Sequence, residues 1–157
     1  MLRKTISRYM FFLFLCFLGL YIGVILMNNG PRSNWYLSLN KAPWTPPNWM
    51  FGFAWSLIML LFSGFMTKLS FKRNLFDQKL IILYSTQWLL NIFWNYVFFN
   101  QQKVAIGLII ISLLLILIGY FAISFKNELK IYSLLIIPYL VWMMVATSLN
   151  TYIVLNN

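Results

Sequence analysis

Residues 35–55, WYLSLNKAPWTPPNWMFGFAW, form the stretch that decides how the rest of the chain is interpreted. They include four of the seven tryptophans and three of the five prolines. Consecutive prolines at Pro46 and Pro47 remove two backbone donors and disfavour a helical conformation in the residue before them. The stretch therefore cannot be an uninterrupted membrane span. We predict an aromatic loop at the membrane interface that becomes a helix near Pro46, with Thr45 as its N-cap.

The composition on either side of this loop is typical of an integral membrane protein. Of the 157 residues, 62% are hydrophobic and 9% are charged, whereas a soluble domain carries about 25% charged residues. The apolar residues occur in runs long enough to cross a bilayer. These runs predict an all-α integral membrane protein with one domain, residues 1–157, built as a bundle of five transmembrane helices. The predicted helices are 9–28, 46–68, 78–99, 104–125 and 131–154.

Basic residues are strongly concentrated between particular apolar runs. The net charge of +10 arises from 12 Lys and Arg against two acidic residues. No basic stripe lies on a polar face, so we favour topology signalling and contact with anionic lipid head groups over nucleic-acid binding. The five spans place nine basic residues on one side and three on the other, which predicts a cytoplasmic N-terminus and an external C-terminus. The nine are Arg3, Lys4, Arg8, Lys68, Lys72, Arg73, Lys79, Lys126 and Lys130, and the three are Arg32, Lys41 and Lys103.

The ionisable residues exclude several kinds of chemistry. The chain has no His and a single Cys, which rules out His relays, His-ligated haem, an internal disulfide and a Cys-based metal site. We therefore expect neither a metal nor a cofactor. No charged residue lies deep within a predicted span, and this absence disfavours a proton pump or an ion-coupled carrier.

Amides and indoles share faces of the predicted spans. In the third helix Gln87, Asn91 and Trp94 recur at intervals of four and three. In the fifth, a similar series begins at Pro138 and includes Trp142. An amide in hydrocarbon needs a partner, so Gln87, Asn91 and Asn150 should point inward. They either bond neighbouring helices or help to line a pocket for a flat, largely apolar ligand. Pro138 is predicted to kink the fifth helix.

Three motifs lie in order between residues 35 and 150. Their members are Trp35, Tyr36, Leu39, Pro43, Pro46, Pro47, Trp49, Phe51 and Trp55; then Gln87, Leu90, Asn91, Trp94, Asn95, Phe98 and Phe99; then Pro138, Tyr139, Trp142, Ala146, Leu149 and Asn150. This pattern resembles the TspO/MBR family, the tryptophan-rich sensory proteins whose animal member is the translocator protein, or peripheral benzodiazepine receptor.

The resemblance implies a bacterial cell-membrane protein, a homodimer and a ligand pocket beneath the aromatic loop. The implied ligands are protoporphyrin IX and related tetrapyrroles, together with isoquinoline carboxamide and benzodiazepine-type drugs. Arg32 and Lys41 at the pocket mouth could meet carboxylates. The residues carried over as ligand-binding are Tyr36, Pro46, Trp55, Asn91, Trp94, Trp142, Ala146 and Leu149.

Three functions remain open from the sequence. The first is binding or sensing of a tetrapyrrole, and the second is light-dependent porphyrin breakdown with Trp55 and Trp142 as the oxidisable, catalytic residues. The third is transport of a tetrapyrrole or lipid. Tyr152 is not followed by a basic residue, which the proposed cholesterol motif requires, so the sequence leaves cholesterol binding undecided.

Overall fold

The computed structural model describes residues 2–157 and shows a bundle of α-helices. Within these residues there is no β-strand. The α-helices are α1 (Leu2–Leu26), α2 (Asn34–Ser38), α3 (Asn48–Lys72), α4 (Gln78–Asn95), α5 (Val104–Ser124), α6 (Lys126–Leu129) and α7 (Ile137–Asn156). Turns of 3-10 helix occupy Gly30–Arg32 and Lys130–Ile136, and a π-helical turn occupies Tyr96–Asn100.

The bundle contains the five long helices that the sequence predicts. Four segments are long and apolar enough to cross a membrane: Leu2–Arg32, Asn48–Lys72, Val104–Ser124 and Lys126–Asn156. The fifth long helix, α4, is less apolar because it carries amide side chains that point into the bundle. Gln87 is 3% exposed and Asn95 is 9% exposed. The prediction of an all-α membrane bundle is confirmed.

The entry into α3 differs from the prediction. The helix begins at Asn48, and Pro47 is its N-cap in an extended conformation. Thr45 is not the cap, since its hydroxyl donates to the Ala42 carbonyl at 2.7 Å and closes a turn within the loop. The two prolines lengthen the loop because their rings favour an extended approach over an additional helical turn.

The predicted start of the fifth helix, residue 131, is also wrong. The chain turns at Lys130, whose φ is 53°, and continues as 3-10 helix to Ile136 before α7 begins at Ile137. Pro138 therefore lies in the first turn of α7, where a missing N–H leaves no helical bond unmade. The expected kink within a continuous helix is replaced by this change of helix type.

Other helix ends shift because a helix does not stop where the apolar run stops. The first helix begins at Leu2 instead of residue 9 and ends at Leu26, and α3 continues to Lys72 instead of residue 68. Long basic side chains can reach the head-group region from such ends. At the end of α4 the predicted continuation to residue 99 is the π-helical turn.

The half of the bundle where α1 begins and α3 ends is closely packed. Phe62 of α3 is fully buried and stacks against Tyr84 with ring centroids 6.1 Å apart. It also meets Phe121 edge-on at 5.9 Å. We call this half the basic end, because the nine basic residues counted above belong to it. We call the other half, which carries the aromatic loop, the loop end.

Candidate functional site

A cavity of about 630 Å³ opens between the helices at the loop end. Its walls come from α1, α3, α4 and α7, and residues 28–36 form part of its upper boundary. This volume lies within the usual range of about 300–1,000 Å³ for small-molecule pockets. The lining residues are Leu20, Val24, Met27, Asn28, Asn29, Pro31, Arg32, Tyr36, Asn48, Phe51, Gly52, Trp55, Ser56, Trp94, Asn95, Phe98, Phe99, Trp142, Ala146, Leu149, Asn150 and Ile153.

Seven of the 22 residues that line the cavity are aromatic. Trp94 stacks on Phe98 with centroids 5.2 Å apart, and Phe51 meets Trp142 edge-on at 5.5 Å. Rings with two side-chain torsions provide a large, rigid contact area at low entropic cost. The arrangement can therefore accommodate a flat apolar molecule against several ring faces and edges.

The indole N–H groups of two cavity tryptophans have different environments. Trp94 donates from Nε1 to the Asn150 Oδ1 at 3.1 Å, and Asn150 in turn donates to the Val104 carbonyl at 3.1 Å. Trp142 is different because its Nε1 is buried without any hydrogen-bond partner in the described chain. A buried N–H without an acceptor is energetically costly. Trp142 is thus the wall residue with an unused donor.

Below the cavity, Tyr139 closes the space between α4 and α7. Its hydroxyl oxygen accepts hydrogen bonds from Gln87 Nε2 and Asn91 Nδ2, each at 2.8 Å. The Tyr139 ring lies 6.0 Å from that of Trp55. The amides of α4 therefore join helices to each other, which is the structural alternative that the sequence left open. Asn91 faces a separate, small cavity of about 10 Å³.

The aromatic loop is attached to the far end of α7. Asn40 donates from its backbone N to the Asn157 Oδ1 at 2.8 Å, and Asn157 Nδ2 donates back to the Asn40 carbonyl at 3.2 Å. Trp44 Nε1 donates to the Ser148 hydroxyl at 3.2 Å. These bonds connect parts of the sequence more than 100 residues apart. They fasten the loop to α7, which provides one wall of the cavity.

Tyr36 lines the cavity, whereas residues 37–47 of the loop do not. Ser33 caps its short helix by accepting from the Tyr36 backbone N at 3.2 Å, and the ring packs on Phe99 at 5.3 Å. The Lys41 ammonium lies over the Tyr36 ring, 4.7 Å from its centroid. Burial raises the pKa of the Tyr36 hydroxyl above its ordinary value, so the group is neutral at pH 7 and can donate a hydrogen bond.

The mouth of the cavity is polar. Asn28, Asn29 and Asn48 contribute amides, and Arg32 is the single charged lining residue among residues 2–157. A guanidinium can bind a carboxylate through two parallel hydrogen bonds. The predicted mouth residue Arg32 is therefore part of the lining, whereas Lys41 covers Tyr36 instead.

Six of the eight predicted ligand-binding residues line the cavity, and Pro46 and Asn91 do not. Sequence reasoning missed the contribution of α1 altogether. Leu20, Val24 and Met27 form one helical face, but their side chains are apolar and resemble any lipid-facing residues. The i, i+4, i+7 spacing beside Gly19 and Gly23 is the signal that could have indicated this face. The six are Tyr36, Trp55, Trp94, Trp142, Ala146 and Leu149.

Comparison with known proteins identifies the family. The model of the TspO/MBR family matches residues 11–155. The chain belongs to the TspO/MBR family. It is 35% identical over 126 residues to the tryptophan-rich protein TspO of Archaeoglobus fulgidus, covering 80% of this chain and 81% of that protein.

Other TspO/MBR proteins are similar over most of their length. The tryptophan-rich protein TspO of Chlorobaculum tepidum is 33% identical over 123 residues, which cover 76% of this chain and 77% of that protein. The translocator protein of Homo sapiens is 27% identical over 137 residues, which cover 85% and 80%. The TspO/MBR match includes every residue that lines the cavity, from Leu20 to Ile153, so the site belongs to the part of the chain that the family shares.

Proposed function

We propose that this protein is a membrane-embedded binding protein or sensor for protoporphyrin IX and related tetrapyrroles, with the cavity at the loop end as the binding site. The observation that carries the proposal is the aromatic cavity of about 630 Å³ whose wall contains the unpartnered N–H of Trp142. Isoquinoline carboxamides and benzodiazepine-type drugs, which are also flat and largely apolar, would occupy the same space. Tyr36, Trp55 and Trp94 would contact the ligand through their rings.

The cavity would contact the rings and the carboxylates of the ligand with different residues. Its rings would lie between the aromatic walls, while a carboxylate would reach Arg32 and the amides at the mouth. Trp142 Nε1 is buried in the free protein, so the indole must turn before a ligand acceptor can reach it. Such a bond would satisfy a donor that is unpaired in the free protein, which gives ligand binding a favourable contribution.

Titration of purified protein with protoporphyrin IX tests the proposal. Binding should quench tryptophan fluorescence, shift the porphyrin absorption band and saturate. The Trp142→Phe variant should bind about fivefold more weakly, because it loses one hydrogen bond of about 1 kcal/mol. Trp49→Phe is the matched control, since Trp49 is 67% exposed and lies outside the cavity lining.

Two outcomes would contradict the assignment. Titration without a saturable change would reject the binding function, and equal affinities of the parent and Trp142→Phe would reject the role of that indole. Illuminating the same samples separates binding from the second candidate, light-driven breakdown. In that reaction the excited porphyrin would gain one electron and an indole of Trp55 or Trp142 would lose it. Both indoles line the cavity.

Quaternary structure and orientation belong to the same proposal. The family resemblance supports a homodimer in a bacterial cell membrane, and the nine-to-three distribution of basic residues supports a cytoplasmic N-terminus. Labelling each terminus in intact cells measures the orientation, and an externally labelled N-terminus would contradict it.

A further inference from the structure

The basic end of the bundle carries far more positive charge than its own acids can neutralise. Arg73 pairs with Glu128 through two hydrogen bonds, and its Nη1 lies 3.6 Å from an Asp77 oxygen. The Glu128 carboxylate raises the pKa of the Arg73 guanidinium. Asp77 and Glu128 are the only acidic side chains in the sequence. One arginine thus engages both, and within residues 2–157 no other basic side chain at this end forms a salt bridge.

Two of the remaining lysines are positioned by exposed aromatic rings. The Lys68 ammonium lies 4.4 Å from the ring centroid of Tyr132, and that of Lys79 lies 5.5 Å from the centroid of Tyr120. Tyr132 is 46% exposed and Tyr120 is 37% exposed. Both tyrosines belong to segments apolar enough to span a membrane, near the basic ends of those segments. Each lysine is therefore held at the outer surface of the bundle, at the level of the membrane interface.

The other cation–ring pairs have either a buried ring or a cation that is already engaged; Phe71 is 42% exposed, but its partner Arg8 is engaged. The Arg73 guanidinium lies over Phe125, which is 2% exposed, and both acids already neutralise it. At the loop end, Lys41 lies over Tyr36, which is 9% exposed. Arg8 lies over Phe71, but its guanidinium donates to the Ser70 carbonyl and hydroxyl. Lys68 and Lys79 are thus the cations beside exposed rings that engage no carboxylate or backbone group within residues 2–157. The Lys79 ammonium also contacts the Tyr120 hydroxyl, and an ammonium has three N–H donors, so others are left for a ligand.

We infer that Lys68 with Tyr132 and Lys79 with Tyr120 form binding sites for the head groups of anionic phospholipids. An ammonium at the interface attracts a lipid phosphate, with about 1 kcal/mol gained per basic residue near an anionic surface. The tyrosine ring holds the ammonium by a cation–π contact and lies against the lipid below the head group. The sites are at the opposite end of the bundle from the ligand cavity and do not depend on the proposed function.

Native mass spectrometry of the purified full chain, titrated with dioleoylphosphatidylglycerol or dioleoylphosphatidylcholine, tests the inference. The anionic lipid should bind more tightly than the zwitterionic one, and added sodium chloride should weaken its binding selectively. Lys68→Gln and Lys79→Gln should each weaken phosphatidylglycerol binding about fivefold, the fold-change equivalent to about 1 kcal/mol. Lys68→Arg should retain it.

Controls separate a lipid site from general electrostatic attraction. Lys103→Gln makes the same change of charge at the loop end and should leave phosphatidylglycerol binding unchanged. Inorganic phosphate should not compete with phosphatidylglycerol for these sites, because the tyrosine rings also lie against the lipid below its head group. Equal binding of the two lipids, or equal phosphatidylglycerol binding by the parent, Lys68→Gln and Lys79→Gln at unchanged melting temperatures, would overturn the inference. The salt dependence of the unmodified protein tests it without any variant.

Discussion

The two ends of the bundle use the same long helices in different ways. At the basic end, Phe65 and Leu69 of α3 are fully buried, and α1 contacts α3 through Arg8 and Ser70. At the loop end, α1 and α3 instead form walls of the cavity, and Gly52 of α3 has no heavy atom within 4 Å of an added Cβ. In this bundle the close packing and the cavity therefore belong to different halves. One half provides the packing, and the other half is free to surround a ligand.

The largest expected effect comes from breaking the packed half. Phe62→Ala should destabilise the protein by about 3 kcal/mol or more, because it removes a fully buried ring that packs on Tyr84 and Phe121. Thermal unfolding in detergent measures the change. Phe53→Ala is the matched control, since Phe53 is 61% exposed, and should change the melting temperature little.

Phe51 sharpens the contrast within the same helix. Because Phe51 lines the cavity, Phe51→Ala should lower the affinity for protoporphyrin IX. It should lower the melting temperature less than Phe62→Ala does. If Phe62→Ala and Phe51→Ala destabilised the protein equally, the division into a packed half and an enclosing half would be wrong.

The next effect concerns Tyr139, which lies at the boundary between the halves. Tyr139→Phe should cost about 2 kcal/mol of stability, because Gln87 and Asn91 lose the acceptor for their buried N–H groups. The measurement is again thermal unfolding, with Tyr21→Phe as the control at a residue that is 63% exposed. An unchanged melting temperature for Tyr139→Phe would show that the amides find other partners.

The smallest effect is expected at the attachment of the loop. Asn157→Ala removes both hydrogen bonds to Asn40 and should accelerate ligand dissociation about fivefold, which corresponds to about 1 kcal/mol. The global melting temperature should remain nearly constant because the packed half is untouched. Stopped-flow measurement of porphyrin release is the test.

Asn156→Ala provides the matched control for the loop attachment. The Asn156 side chain bonds only the Tyr152 carbonyl in its own helix, so its removal should leave release unchanged. Equal release rates for the parent and Asn157→Ala would show that these bonds do not retain the ligand.

Sequence reasoning succeeded where the chemistry of a single side chain determines whether it is buried. Gln87 and Asn150 were expected inside the bundle because an amide in hydrocarbon needs a partner, and they are 3% and 2% exposed. It failed where two distant segments decide the outcome. The bond from Trp94 to Asn150 uses up an indole donor, and neither residue alone reveals that pairing.

The ends of the elements were harder to predict than their existence. A proline within an apolar run predicts a kink, yet the chain at Pro138 changes from 3-10 helix to α-helix because Lys130 has already turned it. The small residues Gly19 and Gly23 had no assigned role. In the structure an added Cβ would meet Trp88 at 2.5 Å or Asn95 at 2.8 Å, so both glycines allow α1 to approach α4.

The sequence by itself determined that this protein is an all-α membrane bundle with an aromatic, proline-rich loop. Long apolar runs, sparse charge and paired prolines constrain the local backbone whatever its neighbours are. Only the tertiary structure decided that Trp142 keeps an unpaired donor, that α1 supplies a cavity wall and that one arginine engages both acids. Those features depend on distances between segments far apart in the chain, and such distances are set by the packing of the whole bundle.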